Sequence, residues 1–135
     1  MEKETLKKIF TFLEEEENKD KPFMWKLMNN EPLTDEELFV EGDLDLTETD
    51  IESLPDGLNV EDILSLYGCK NIQSLPEGLK VGEDLDLGHS NITSLPKGLK
   101  VRGDLYIWKT PLEKLSDREL NEMIKPGVIM GKIKR

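Results

Sequence analysis

Residues 81–99 read Val-Gly-Glu-Asp-Leu-Asp-Leu-Gly-His-Ser-Asn-Ile-Thr-Ser-Leu-Pro-Lys-Gly-Leu, and the same order of apolar residues returns along the chain. The pattern occurs four times, and its copies begin at Val40, Val60, Val81 and Val101. The copies are evenly spaced except that the second is longer by a single residue, which falls within residues 67–71. Internal repetition at a fixed period of this length indicates a stacked solenoid.

Each copy has the features of one coil of such a stack. Leu85 and Leu87 are separated by a single residue, so an extended strand points both side chains to the same side. Pro96 cannot donate a backbone hydrogen bond, and the glycine that follows at position 98 permits a tight return of the chain. A single coil cannot bury its own apolar edge, but stacked coils form a continuous column of Val, Leu and Ile side chains.

The consensus Val-x-Gly-Asp-Leu-x-Leu-x-x-Thr-x-Ile-x-x-Leu-Pro-x-Gly-Leu resembles a leucine-rich repeat of the short bacterial and phage type. This resemblance covers residues 38–115 and implies an α/β solenoid of four coils of about 20 residues each. The family usually has asparagine after the strand, and a hydroxyl residue can do part of its work of satisfying backbone groups. The residues at this position here are Thr49, Ser90, Thr110 and, in the longer copy, Cys69 or Lys70.

We predict that residues 1–37 form a helical N-terminal cap and residues 116–135 a helix-plus-strand C-terminal cap, all in one folded unit. Apolar residues within residues 4–17 recur at helical spacing, and the four glutamates at residues 14–17 are expected to be a solvated helix end. Residues 34–37 and 116–119 both have the form of a helix capping box. Residues 128–133 are predicted to form a closing strand, and Trp25 is predicted to lie in the core of the first cap.

The composition limits the class of protein. The chain has 135 residues, one cysteine and a formal net charge of −11. This length favours one domain, and one cysteine excludes an internal disulfide framework. The acidic charge argues against direct binding of nucleic acid or anionic membranes. The sequence contains no transmembrane run and no signal peptide, so we expect a cytoplasmic protein, in the host cytoplasm if it is phage-encoded.

The candidate binding residues follow from the resemblance, which implies that the partner docks on the concave strand face. The residues whose side chains are expected to point outward there combine carboxylates with aromatic rings, as interaction hot spots often do. The predicted partner-binding residues are Asp43, Asp45, Tyr67, Asp84, Asp86, Asp104, Tyr106 and Trp108.

Each of these residues also has a structural interpretation. Asp43, Asp84 and Asp104 recur at one repeat position, which favours hydrogen bonding to turn amides. Asp45 and Asp86 have no such explanation in the sequence, and like charges on neighbouring strands are unfavourable. Packing under the C-terminal cap is the alternative for Trp108.

The sequence favours binding over catalysis. Cys69 and His89 lie one repeat apart and could approach each other, but nothing in the sequence supplies an oxyanion hole or a third orienting group. Neither an EF-hand loop nor the glycine-rich calcium repeat is present, so a solvated acidic face is preferred to a metal site. No cofactor is predicted.

Two functions remain open at this stage. The first is a non-enzymatic protein–protein interaction module that binds its partner on the concave strand face. The alternative is a small acidic phage-type inhibitor that mimics nucleic-acid charge and blocks a DNA- or RNA-binding host defence enzyme. The partner would then be a basic nucleic-acid-binding protein. Residues 128–133 are the segment through which two copies would pair in a homodimer.

Overall fold

The structure is a computed structural model that describes residues 21–135. The helix predicted within residues 4–17, and with it the first part of the predicted N-terminal cap, lies outside the described residues. The described chain is a parallel β-solenoid of about three turns with few helices. The predicted solenoid is therefore confirmed.

Two parallel sheets run along the solenoid, and each strand is two residues long. The first sheet contains β1 (Phe39–Val40), β3 (Asn59–Val60), β5 (Lys80–Val81), β7 (Lys100–Val101) and β9 (Val128–Ile129). The second sheet contains β2 (Leu44–Asp45), β4 (Leu64–Ser65), β6 (Leu85–Asp86), β8 (Leu105–Tyr106) and β10 (Ile133–Lys134). Each sheet joins its strands in this order.

The strand register follows the sequence period. Leu44 pairs with Leu64, Leu64 with Leu85, and Leu85 with Leu105. The extra residue of the longer copy is absorbed just after Cys69. The Cys69 amide donates to the Leu66 carbonyl, just as the Ser90 amide donates to Leu87 one copy later. Cys69 therefore occupies the position after the strand, and the extra residue lies in the exposed pair Lys70 and Asn71.

The core is the column of apolar side chains between the two sheets and the return segments. Leucines, isoleucines and valines at the repeated positions are almost all buried. The fully buried members include Leu46, Leu66, Leu87 and Ile107, which follow the strands of the second sheet. Within residues 21–135, no buried side-chain nitrogen or oxygen lacks a hydrogen-bond partner. The stack thus buries its apolar edge without leaving unpaired polar groups.

In the part of the chain that the structure describes, two short helices precede the first strand: α1 (Phe23–Met28) and α2 (Asp35–Leu38). The predicted capping box opens α2, where the Glu37 amide donates to Thr34 Oγ1 and the Thr34 amide donates to Glu37 Oε1, both at 3.2 Å. The prediction for Trp25 was wrong. Lys26 and Leu27 are the buried residues of α1, and the side chain of Trp25 is 38% exposed under the Lys21 ammonium.

The C-terminal segment contains a 3-10 helix (Pro111–Lys114), α3 (Asp117–Ile124) and the last strand of each sheet. The Ser116 hydroxyl oxygen accepts a hydrogen bond from the Glu119 amide at the start of α3. The single closing strand predicted over residues 128–133 is instead two strands. β9 pairs with β7 and β10 pairs with β8, because Met130 to Lys132 lead the chain from one sheet to the other.

Candidate functional site

The outward side of the second sheet carries a column of polar and aromatic side chains, which we name the second-sheet face. Strand register places Asp45 beside Ser65, Ser65 beside Asp86, and Asp86 beside Tyr106. Their neighbours on either side in the chain are buried leucines or Ile107, so these four residues point outward. The face therefore consists of Asp45, Ser65, Asp86 and Tyr106, and Lys134 extends it on the last strand.

Three rings form an aromatic cluster beside this face: Tyr67, His89 and Trp108. The ring centroids of His89 and Trp108 are 4.6 Å apart with an edge-on geometry. Tyr67 lies 5.0 Å from His89 and 5.8 Å from Trp108 between ring centroids. Each pair lies in the range of favourable aromatic contacts. The predicted aromatic residues Tyr67 and Trp108 are therefore brought together, and His89 joins them.

Gly88 provides the room for this cluster. A Cβ built at Gly88 would lie 2.6 Å from Trp108 Nε1 and 3.1 Å from Asp86 Oδ1. The indole and the Asp86 carboxylate therefore converge above the same backbone position. The indole of Trp108 is 38% exposed and contacts the rings of His89 and Tyr67, which lie one and two coils before it.

The turn after each strand of the second sheet sets the direction of these side chains. Its second residue has a positive φ in every copy, at Glu48, Gly68, His89 and Lys109, with values from 55° to 72°. Only Gly68 has no steric cost in this conformation. The residue with positive φ reverses the chain direction directly after the strand. At His89 this turn places the imidazole ring next to the rings of Tyr67 and Trp108.

Three of the predicted aspartates hold the coils together. Asp43 Oδ1 accepts a hydrogen bond from the Ile63 amide at 2.9 Å. In the same way Asp84 Oδ1 accepts from the Asp104 amide, and Asp104 Oδ1 accepts from the Lys132 amide, both at 2.8 Å. Each carboxylate thus binds a backbone amide of the next coil. This is the hydrogen bonding to amides that the repeat position favours.

Asp45 and Asp86 also have structural partners, which the sequence did not indicate. The Thr47 amide donates to Asp45 Oδ1 at 3.0 Å, and the Gly88 amide donates to Asp86 Oδ1 at 2.9 Å. Hydrogen bonds from the Thr47 side chain and backbone lower the pKa of Asp45 below its ordinary value. The two carboxylates are not adjacent, because Ser65 lies between them in the register. Both amides donate to Oδ1 of the carboxylate.

Tyr106 and Asp104 both meet Lys134 at the last strand. The ammonium of Lys134 lies 5.8 Å from the ring centroid of Tyr106 and 3.7 Å from Asp104 Oδ2. Lys134 was not among the predicted site residues, because the step along the chain from Tyr106 to Lys134 is longer than the repeat period. His89 was missed as a cluster member for another reason: the sequence does not show that its φ is positive.

Cys69 and His89 have separate surroundings. The Cys69 thiol is fully buried, donates to the Leu46 carbonyl at 2.9 Å, and lies 3.7 Å from Thr49 Oγ1. The His89 ring instead contacts the rings of Tyr67 and Trp108. Within the described residues, no three His, Cys, Asp or Glu side chains come close enough to hold a metal ion.

Comparisons with protein-family models, with curated proteins and with solved structures gave no match for this chain. Among the helices of residues 21–135, none has the length and apolar character needed to cross a membrane.

Proposed function

We propose that this protein is a non-enzymatic interaction module that binds another protein on its second-sheet face, with the aromatic cluster at the centre of the contact. The observation that carries the proposal is the convergence of Trp108 and Asp86 above Gly88. A partly exposed indole beside a carboxylate offers apolar area, an N–H donor and an acceptor at one place. Aromatic residues in such settings often supply much of the binding free energy of an interface.

The organisation that we propose for the whole chain is leucine-rich-repeat-like, with four coils between two caps. The regular register of leucines from Leu44 to Leu105 supports the four coils. Burial of Leu120 and Ile124 on α3 supports a capping role for residues 116–135, and burial of Leu27 on α1 supports one for residues 1–37. Such caps shield the apolar ends of a stack. A cytoplasmic location belongs to the same proposal.

A second candidate is the acidic inhibitor that mimics nucleic-acid charge. The net charge of −11 favours it, as does the presence of two carboxylates, Asp45 and Asp86, on the second-sheet face. The partner would then be a basic nucleic-acid-binding protein. Binding of this kind depends on several carboxylates at once and weakens as salt screens them.

The experiment is affinity capture from host lysate with matched bait proteins at low and at high salt, followed by mass spectrometry. Trp108→Ala removes the indole from the cluster, whereas the pair Asp45→Asn and Asp86→Asn removes charge but keeps an oxygen for the Thr47 and Gly88 amides. Lys97→Ala is the control, because Lys97 is exposed on the return segment.

A protein that the wild-type and Lys97→Ala baits retain at high salt, and that the Trp108→Ala bait loses, supports the interaction module. A nucleic-acid-handling protein that elutes as salt rises, and that only the asparagine pair loses, supports the charge mimic. Equal capture by all four baits would refute a binding role for the second-sheet face.

A further inference from the structure

The second-sheet face carries two carboxylates that no cation of the described chain balances. Five aspartates, but neither lysine nor arginine, occur within residues 43–47, 63–67, 84–88 and 104–108. Three of these aspartates accept hydrogen bonds from amides of the next coil. The other two, Asp45 and Asp86, form no ion pair within residues 21–135. A partner that approaches this face therefore meets negative charge at both positions.

Asp86 is the one of these two carboxylates that lies among aromatic rings. Tyr106 is its register partner on the next strand, and the Trp108 indole converges with Asp86 Oδ1 above Gly88. The Gly88 amide, which donates to Oδ1 at 2.9 Å, holds the half-buried carboxylate in place. Aromatic rings are electron-rich on their faces, so a cation placed here is attracted by the rings and by the carboxylate together.

The last strand of the same sheet shows such an arrangement with a cation in it. The Lys134 ammonium lies 5.8 Å from the ring centroid of Tyr106 and 3.7 Å from Asp104 Oδ2. The chain thus supplies its own cation to this end of the second-sheet face. Among residues 21–135, no lysine or arginine takes the equivalent place over the Trp108 ring. Lys70, on the turn beside the aromatic cluster, donates its ammonium to the His89 carbonyl instead.

We propose that the second-sheet face binds an exposed arginine of its partner protein, whose guanidinium lies against the Trp108 ring and donates to the Asp86 carboxylate. This inference rests on the proposed function and names the side chain that the face recognises. A guanidinium is planar, stays ionised and has several N–H donors, so it stacks on a ring and binds a carboxylate at the same time. A lysine ammonium is a compact and more strongly hydrated charge, which matches this pair of groups less well.

The test follows the indole N–H signals of the isotopically labelled full-length protein by NMR during titration with the tripeptide acetyl-Gly-Arg-Gly-amide at constant ionic strength. Trp25 gives the other indole signal, and a Trp25→Phe variant assigns the two. We expect the Trp108 signal to shift along a saturating curve with a dissociation constant of about 1–10 mM, because the site is open to solvent. The Trp25 signal should not move.

Two further tripeptides separate charge from shape. A citrulline tripeptide has nearly the same shape as the arginine tripeptide but no charge, and it should leave the Trp108 signal almost unmoved. A lysine tripeptide has the charge without the planar group and should bind more weakly than the arginine tripeptide. Equal shifts with arginine and citrulline, binding of lysine as tight as that of arginine, or no saturating shift would each overturn the arginine site.

The variants test the role of the carboxylate. Asp86→Asn removes the charge but keeps an oxygen for the Gly88 amide, so the affinity for the arginine tripeptide should fall by up to about 5-fold with the aromatic cluster in place. Asp56→Asn changes the net charge equally on an exposed return segment and should leave the affinity unchanged. Equal losses in the two variants would overturn the proposal, because the attraction would then come from the net charge.

The affinity capture separates failure of this inference from failure of the proposed function. A protein that the wild-type bait retains and the Trp108→Ala bait loses shows that the face binds a protein. The arginine tripeptide should release this protein from the wild-type bait at a lower concentration than the citrulline tripeptide does at matched ionic strength. Equal release by the two tripeptides would overturn the arginine site and leave the proposed function standing.

Discussion

The indole of Trp108 lies over Gly88 of the preceding coil, so closely that a Cβ on Gly88 would fall 2.6 Å from its Nε1. A side chain at this position of the turn would occupy the space of the ring. The equivalent residues of the other turns are Thr47 and Tyr67, both of which carry side chains. The aromatic cluster therefore depends on a glycine in one particular coil.

Gly88→Ala should displace the Trp108 ring while leaving the solenoid folded. Gly88 does not have a positive φ, so alanine brings no backbone strain, and the half-exposed indole can move outward. We expect a loss in unfolding free energy of about 1 kcal/mol, at the low end for overpacking. Trp108 emission, recorded in a Trp25→Phe background, should shift to the red. Thr47→Ala, at the same turn position, is the control, and an unchanged emission of Gly88→Ala would contradict the packing.

Removing Glu37 from the Lys26–Glu37 ion pair should lower the unfolding free energy more than removing Lys26. Lys26 is 3% exposed and Glu37 is 25% exposed. Glu37→Gln leaves a buried ammonium without a counter-charge, so we expect a loss of about 2–3 kcal/mol in unfolding free energy. Lys26→Met should cost less, because the remaining carboxylate reaches solvent and still accepts from the Thr34 amide. Urea unfolding of both variants measures this order, and the reverse order would contradict it.

The same pair should give stability a defined pH dependence. Desolvation, the largest single effect, raises the pKa of Glu37, but hydrogen bonds from Lys26 and Thr34 and the charge of Lys26 together bring it below its ordinary value of 4.5. The stabilisation is therefore complete above the ordinary pKa and is lost as pH falls through the lower folded-state pKa. The difference in unfolding free energy between wild type and Glu37→Gln should shrink in this acid range. A constant difference would show that Glu37 does not act through its charge.

The aspartates that join the coils should act as hydrogen-bond acceptors more than as charges. Asp84→Ala leaves the Asp104 amide without its partner and should lower the unfolding free energy by about 1–2 kcal/mol. Asp84→Asn retains an oxygen at the same place and should cost less than half of this. Equal losses for the two variants, measured by urea unfolding, would indicate that the negative charge itself matters.

The thiol of Cys69 should be unreactive in the folded protein. It is fully buried and donates to the Leu46 carbonyl, so modification requires the coil to open. With a chromogenic disulfide reagent we expect a rate at least about 100-fold below that of the protein in urea. His89→Ala should leave this rate unchanged. Rapid native modification that slows in His89→Ala would instead indicate an activated Cys–His pair and support catalysis.

The solenoid could be predicted from the sequence because each position of the repeat has the same surroundings, buried or exposed, in every copy. Leu85 and Leu87 must point inward in a two-residue alternation, and the repeat period sets which leucines become neighbours. The outward column from Asp45 to Tyr106 follows from the same alternation. The capping box at residues 34–37 is equally local, because its hydrogen bonds join residues within one helical turn.

Other features depend on contacts between residues whose separation in the sequence is not a multiple of the repeat period. The exposure of Trp25 depends on which side of the short helix α1 packs on the solenoid. Lys26, which pairs with Glu37, lies on the buried side, and Trp25 does not. The last strand of each sheet is separated from the strand it pairs with by more residues than one repeat period. The position of Lys134 beside Tyr106 therefore could not be predicted from the repeat. The acceptor roles of Asp45 and Asp86 needed the turn geometry.

The sequence by itself therefore determined the stack and its inward and outward faces, because burial of an apolar edge acts on every copy in the same way. The tertiary structure decided which side chains come into contact on the outward faces. It brought Tyr67, His89 and Trp108 together over Gly88, and within the described chain it left Lys80, Lys100 and Arg102 without ion pairs on the opposite sheet. These groupings join side chains of different coils, and their contacts depend on the left-handed turn residues and the exact register, which apolar periodicity does not encode.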